Sequence, residues 1–214
     1  NGLFLKNNSI DKKEFLTLWK LIKKQIPVFD LVYFEKQPEY LDDVQNPFVK
    51  YFSVKKNDVS NSVMLDSSLD VFLKKNLKKK FIDDTKRLSK HLSSKGKVEF
   101  KIYQNDNNLE KKKITQETIR QKILRINDLK LKNVLNKEAQ DFYLNFDNSE
   151  FTNGQLHISS LNLDGKILSI HWGVVYKNIF YYLMPTISKT EFMKYAPGRL
   201  LLFRLVQWSI DNKI

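Results

Sequence analysis

Cysteine does not occur anywhere in the 214 residues. That excludes disulfides and thiolate metal sites, and it argues against a stapled scaffold in an oxidising compartment. Histidine is nearly as scarce: His91, His157 and His171 are scattered and match no zinc-ligand spacing, so no metal is expected. None of the six glycines falls in a G-x-x-x-x-G-K-[ST] phosphate loop, a G-x-G-x-x-G turn or a G-x-S-x-G nucleophile elbow. No apolar run approaches the ~18 residues that cross a bilayer, and no signal peptide opens the chain. A cytoplasmic protein without a membrane span is the expectation.

What is present is a core-forming composition. Hydrophobic residues make up 42% and aromatics 13%, enough to fold rather than remain a disordered tail. Lys and Arg number 37 against 24 acidic residues, a formal net charge of +13. Such a balance draws the chain toward nucleic acid, a membrane surface or a phosphorylated ligand. A general lysine bias of an AT-rich genome gives the same total, so charge alone selects no partner. The chain starts at Asn1, runs at once into Leu3-Phe4-Leu5, and stops at Ile214 after an apolar helix, so both ends read as cuts through structure.

Patterning orders the elements. Asp11 and Glu14 have capping-box spacing ahead of Phe15, Leu18, Trp19 and Ile22, which marks an amphipathic helix ended before Pro27. The apolar run Val28–Phe34 reads as a buried strand, and the polar stretch with Pro38 and Asn46-Pro47 as a boundary region reaching to about Val63. Leu69, Phe72 and Leu73 form one short helical face, and Phe81, Thr85, Leu88 and Leu92 a second, closed by Gly96. Val98, Phe100 and Ile102 alternate as a strand, and Asn105–Asn108 reads as a turn. Two further helices follow, one carrying Ile119, Ile123, Ile126 and Leu129, the other capped by Asn136 with a face of Ala139, Phe142, Tyr143 and Phe146. Leu156–Leu163 is a strand, and Asp164-Gly165 a hairpin turn. Leu168, Ile170, Trp172, Val174 and Tyr176 then alternate with one buried face. Lys177-Asn178 turns the chain into Ile179–Met184, completing three antiparallel strands. Pro197-Gly198 opens a helix over Leu200–Ile210 that is apolar nearly all round, so it must pack on the sheet and on something else.

The start of that last helix is where chemistry can reside. Proline suits the first helical turn, and glycine permits close approach of a ligand to the backbone. The amides of Gly198, Arg199 and Leu200 and the helix dipole would form an anion site, to which the Arg199 side chain could add a phosphate contact. An ordinary Pro-Gly helix start has the same sequence. The setting decides between them: a three-stranded meander, a loop, and a helix beginning at an anion-ready turn.

That arrangement resembles the core of GNAT acetyltransferases, and more closely the CelD/BcsL-like family. The residues that carry the likeness are His157-Ile158-Ser159-Ser160-Leu161, Leu163-Asp164-Gly165-Lys166-Ile167, Phe180-Tyr181-Tyr182-Leu183 and above all Tyr195-Ala196-Pro197-Gly198-Arg199-Leu200-Leu201. Lys86-Arg87-Leu88, the strand after Gly96 and Phe142-Tyr143 also fit. The resemblance implies an α+β fold, a GNAT-like mixed β-sheet with an antiparallel meander flanked by helices. Residues 61–214 would form a GNAT-like acyltransferase domain lacking its last strand, and residues 1–60 the end of a preceding GNAT-like half. In such folds the helix turn holds the diphosphate of coenzyme A, which places Pro197, Gly198, Arg199 and Leu200 at the cofactor. The backbone of Tyr182, Leu183 and Met184 would lie along the pantetheine arm and polarise the thioester carbonyl.

The implied reaction is acyl transfer from acetyl-CoA or another acyl-CoA to an amine or hydroxyl of a small-molecule or saccharide acceptor, with a bacterial polysaccharide or cell-envelope pathway as the setting. It needs a base and an acid. His171, on the strand face opposite Trp172, and Glu191, in the loop before the helix, are candidates; a solvent-facing or hydrogen-bonded strand histidine and a plain surface charge are the alternatives. The Lys74–Lys80 and Lys111–Lys113 clusters either guide an anionic acceptor or the adenosine phosphates, or form solvated helix faces. Two other functions fit the same residues. One is a FemAB-like aminoacyl-tRNA-dependent peptidyltransferase, the only reading with a nucleic-acid partner. The other is a non-catalytic half that binds an anionic polymer.

Overall fold

A computed structural model describes residues 10–34, 37–41, 44–54, 61–103, 108–146 and 154–214. The chain divides into two compact units between Val63 and Met64.

The first unit is built on aromatic packing. Helix α1 (Lys12–Gln25) opens on a capping box, with Asp11 and Glu14 exchanging side-chain and backbone hydrogen bonds. A two-residue hairpin, β1 (Tyr40–Leu41) and β2 (Val44–Gln45), leads to the short helix α2 (Pro47–Tyr51). Phe15 is buried against Phe48, Tyr51 and Phe52, and Trp19 meets Phe34, Phe48 and Phe52. The expected strand at Val28–Phe34 does not form. Val28, Leu31 and Tyr33 face solvent, and Phe34 packs its ring on Trp19 and Phe48 while staying partly exposed, so an apolar run without a partner strand stays irregular.

The second unit is α+β. Helices α3 (Leu69–Asn76) and α4 (Lys79–Ser93) precede strand β3 (Val98–Tyr103), helices α5 (Asn108–Asp128) and α6 (Lys137–Asn145), and strands β4 (Gly154–Leu163), β5 (Lys166–Tyr176) and β6 (Ile179–Ile187). A 3-10 turn at Glu191–Tyr195 joins β6 to α7 (Pro197–Asp211). The four strands form one antiparallel sheet in the order β3-β4-β5-β6. Both expected hairpin turns are made: Asp164 and Gly165 have φ of 47° and 77°, Lys177 and Asn178 of 49° and 58°, the left-handed pairs that match the strands' twist. The Asp164 carboxylate also accepts from the Lys97 N–H at 2.8 Å. It occupies the space beside Gly96, where a β-carbon would stand 2.0 Å from Asp164 Oδ2. The expected turn at Asn105–Asn108 falls largely on 104–107, outside the described residues, and Asn108 already begins α5.

Helices cover the sheet on both faces. Ile114, Ile119 and Ile126 of α5, with partly buried Ala139, Tyr143 and Leu144 of α6, pack on Tyr103, Ile158, Ile170, Trp172 and Met184. On the other face Leu200, Leu201 and Leu205 of α7 and Leu92 of α4 pack on Leu161, Leu163 and Leu168. The remaining apolar side of α7, Phe203, Val206 and Ile210, meets Phe72 and Leu73 of α3 and Ile82 of α4. This three-way contact is why α7 is apolar nearly all round. Two details depart from the alternation read in the sequence. β5 is buried on both faces from Leu168 to Gly173, because each face has its own helix layer. A bulge between Leu161 and Asn162 leaves Leu168 unpaired and turns it to the α7 side, away from Ile170 and Trp172. Among the described residues no helix is long and apolar enough to cross a membrane.

Candidate active site

α7 begins on Ala196, which is left-handed at φ 51° and ψ 54° and offers no side-chain cap. Pro197 follows, without an N–H. The Arg199 and Leu200 amides both donate to the Ala196 carbonyl, at 3.0 and 3.1 Å, so two donors share one acceptor. The Gly198 N–H makes no backbone hydrogen bond to another element among the described residues. Ser169 Oγ donates to the Pro197 carbonyl at 3.1 Å and pins this turn to β5. A β-carbon on Gly198 would come within 2.8 and 3.0 Å of Ile187 Cδ1 and Cγ1, so glycine here lets the helix start rest on the end of β6. The result is a positive helix end with no acidic residue in its first turn.

The Arg199 side chain reaches α4. Its guanidinium bonds Asp84 Oδ2 at 3.0 Å and Thr85 Oγ1 at 3.4 Å and lies 4.4 Å over the Phe81 ring. Arg87 and then Arg199 hold the Asp84 carboxyl below its ordinary range. The Arg199 side chain therefore ties α7 to α4, and α4 brings Lys79, Lys80 and Arg87 to the rim of a shallow depression beside it.

β6 is the edge of the sheet and is bulged. Trp172 pairs with Met184 and Val174 with Tyr181, so Tyr182 and Leu183 together oppose Gly173. Tyr182 and Leu183 are exposed, while Met184 is buried toward α5 and α6. From the bulge to Ile187 the strand advances about 13 Å, and there it meets Gly198. The sequence-expected residues thus form one line, an irregular strand edge at one end and an uncapped helix at the other.

The candidate acid–base residues are placed very differently. Glu191 is exposed in the 3-10 turn, beyond the end of β6 that lies away from the bulge. His171 is wholly buried, neither solvent-facing nor hydrogen-bonded. It stacks on Tyr182 at 4.6 Å with rings 4° apart. His157, from the adjacent strand, is 3% exposed, 6.1 Å from His171, and packs against Trp208 and Phe180. No nitrogen of either ring has a protein partner. Burial pushes His157 down to about 4, and burial with the nearby His157 pushes His171 down to about 3. Both rings are neutral at pH 7. Among the described residues no group of His, Asp or Glu could hold a metal ion.

Two features of this region were not read from the sequence, the β6 bulge and the role of Gly173. A glycine inside the alternating run His171-Trp172-Gly173-Val174 was the available signal for both.

The second unit thus has an antiparallel sheet with helices on both faces, its edge strand bulged and leading into an open helix start. The model of the acetyltransferase (GNAT) domain matches residues 79–214, and the chain belongs to that family. No curated protein matches the sequence significantly.

Proposed function

We propose that the chain transfers an acyl group from an acyl-CoA donor, acetyl-CoA in the simplest case, to a hydroxyl or amine. The observation that carries this reading is the continuous line from the Tyr182-Leu183 bulge to the Gly198 amide. An extended donor fits such a line. Its diphosphate would take the α7 start, with the Gly198 N–H and helix dipole as partners. Its thioester carbonyl would take backbone donors of the edge strand at Tyr182, Leu183 and Met184. Direct transfer then requires the acceptor to lose a proton as the thiolate departs. The Tyr195–Leu201 and Phe180–Leu183 segments support placement in the CelD/BcsL-like branch, with a saccharide or other small acceptor of envelope biosynthesis. Residues 1–60 are read as the end of a preceding half. A coenzyme A donor supports a cytoplasmic site.

Thermal unfolding of the full-length gene product with and without acetyl-CoA tests this. A ligand at a hundredfold excess over its dissociation constant stabilises by about 2.7 kcal/mol. No stabilisation by any acyl-CoA would sink the reading. A second reading, binding of tRNA or another anionic polymer, is favoured by the rim of α4, where Lys79, Lys80 and Arg87 stand beside Asp83 and Asp84. Salt-sensitive RNA binding without any acyl-CoA response would select it.

A further inference from the structure

The space behind the β6 bulge is shaped by one absent side chain. A β-carbon on Gly173 would stand 2.3 Å from the Tyr181 carbonyl oxygen and 2.4 and 2.8 Å from Cε1 and Nε2 of His171. The carbonyl and the ring edge therefore converge on one spot, and the Tyr181 oxygen and His171 Nε2 are at most about 5 Å apart. That is within reach of a small turn of the ring. For the carbonyl to approach the Gly173 side-chain position, it must tip out of the ladder toward the α7 face.

His171 faces three polar groups here. Ser159 is its register partner on β4, on the same face, and the Ser159 hydroxyl is itself buried without a partner. His157 lies 6.1 Å away, ring to ring. The third group is the Tyr181 carbonyl. A neutral imidazole carries one donor and one acceptor. The carbonyl can only accept, whereas the serine hydroxyl can donate. By direct contact, the tautomer that satisfies both has Nε2–H toward Tyr181 and leaves Nδ1 to accept from the Ser159 hydroxyl. Leaving these groups unpaired in the interior is unfavourable.

We propose that His171 is a positioning residue for acyl transfer: as the Nε2–H tautomer, with the Ser159 hydroxyl on Nδ1, it holds the Tyr181–Tyr182 peptide at the bulge. Its flat stacking on Tyr182 fixes the same segment from the side chain. The backbone donors of the bulge are thereby aimed before the donor arrives, which is how a fixed dipole stabilises a developing oxyanion without reorganising. This role rests on the acyltransferase reading for its purpose, though the contact itself does not.

Long-range proton–nitrogen correlation on the nitrogen-15-labelled chain reads the contact directly. His171 is expected neutral at pH 7 and at pH 5, with its proton on Nε2. A proton on Nδ1, or a cation at pH 6, overturns the proposal. Steady-state kinetics reads the purpose. His171→Leu should lower kcat on the order of 10- to 100-fold, with KM for acetyl-CoA within about twofold, because a misaimed donor costs rate rather than binding. His171→Gln, which keeps an N–H near the same place, should recover most of the loss. Equal losses in both variants, or a loss confined to KM, would refute positioning. If the unaltered chain neither binds nor turns over acyl-CoA, the functional reading fails, and the tautomer still decides the contact between His171 and Tyr181.

Discussion

Lowering the pH from 8 to 5 should loosen the second unit strongly, and the two buried histidines set the size of the effect. In the unfolded chain each titrates at about its ordinary value of 6.5; in the fold His157 lies at about 4 and His171 at about 3. Between those values the unfolded state binds protons that the folded state refuses, so stability falls as pH falls. Their contribution is complete above about pH 7.5. At pH 5 each histidine has removed about 2 kcal/mol, and the pair about 4 kcal/mol. For a unit of this size that is a fall of roughly 8–16 °C in melting temperature. Carboxylates do not confuse the window: Asp84 and Glu117 are both held below their ordinary values by arginine partners, so their stabilisation is lost only at lower pH.

Urea unfolding at pH 8, 6.5 and 5, compared with the same series for the double variant His157→Gln/His171→Gln, is the assay. The unaltered chain should lose stability steeply below pH 6.5, while the double variant should be nearly flat over the same range, whatever its absolute stability. A flat profile for the unaltered chain would mean that the rings reach water in the folded state. An undiminished slope in the double variant would place the proton uptake elsewhere.

Other substitutions separate packing from binding. Gly198→Asp puts a carboxylate at the α7 start and should abolish acetyl-CoA binding by calorimetry, while Gly198→Ala need only displace the flexible end of Ile187 and should cost about 1 kcal/mol or less. Arg199→Ala breaks the Asp84 pair and the stacking on Phe81, a partly exposed set worth about 1 kcal/mol in urea unfolding; a loss of acyl-CoA affinity without a loss of stability would instead give Arg199 to the phosphates. Gly173→Ala drives a β-carbon into the Tyr181 carbonyl and the His171 ring, and should destabilise by roughly 1–3 kcal/mol. Stability unchanged in that variant would show that the bulge can move aside.

Local chemistry was the legible part of the fold. The two hairpin turns, the Asp11–Glu14 capping box and the Asn136 cap depend on residues within a few positions of one another, and all are made as read. The excess apolarity of α7 also foretold a second packing partner, which α3 and α4 provide. What failed was whatever depends on a distant partner. Val28–Phe34 has strand composition but no strand beside it, and Leu168 changes face because of a bulge set by pairing with β4. At the candidate site, the helix start at Pro197-Gly198 is a local motif, whereas the Arg199 contact with Asp84 spans 115 residues of sequence.

The histidine pair cannot be understood as packing alone. Buried aliphatic or aromatic residues at 157 and 171 would fill the same volume between the sheet and α7 without proton uptake at moderate acidity and without unpaired ring nitrogens. Leu161, Leu163 and Leu168 already show that this face accepts plain apolar packing one turn of strand away. Polar rings therefore concentrate where the sheet is irregular, behind the Tyr182-Leu183 bulge and under Gly173. The two rings sit where the Tyr181 carbonyl converges on the Gly173 position, which is what the proposed positioning role requires.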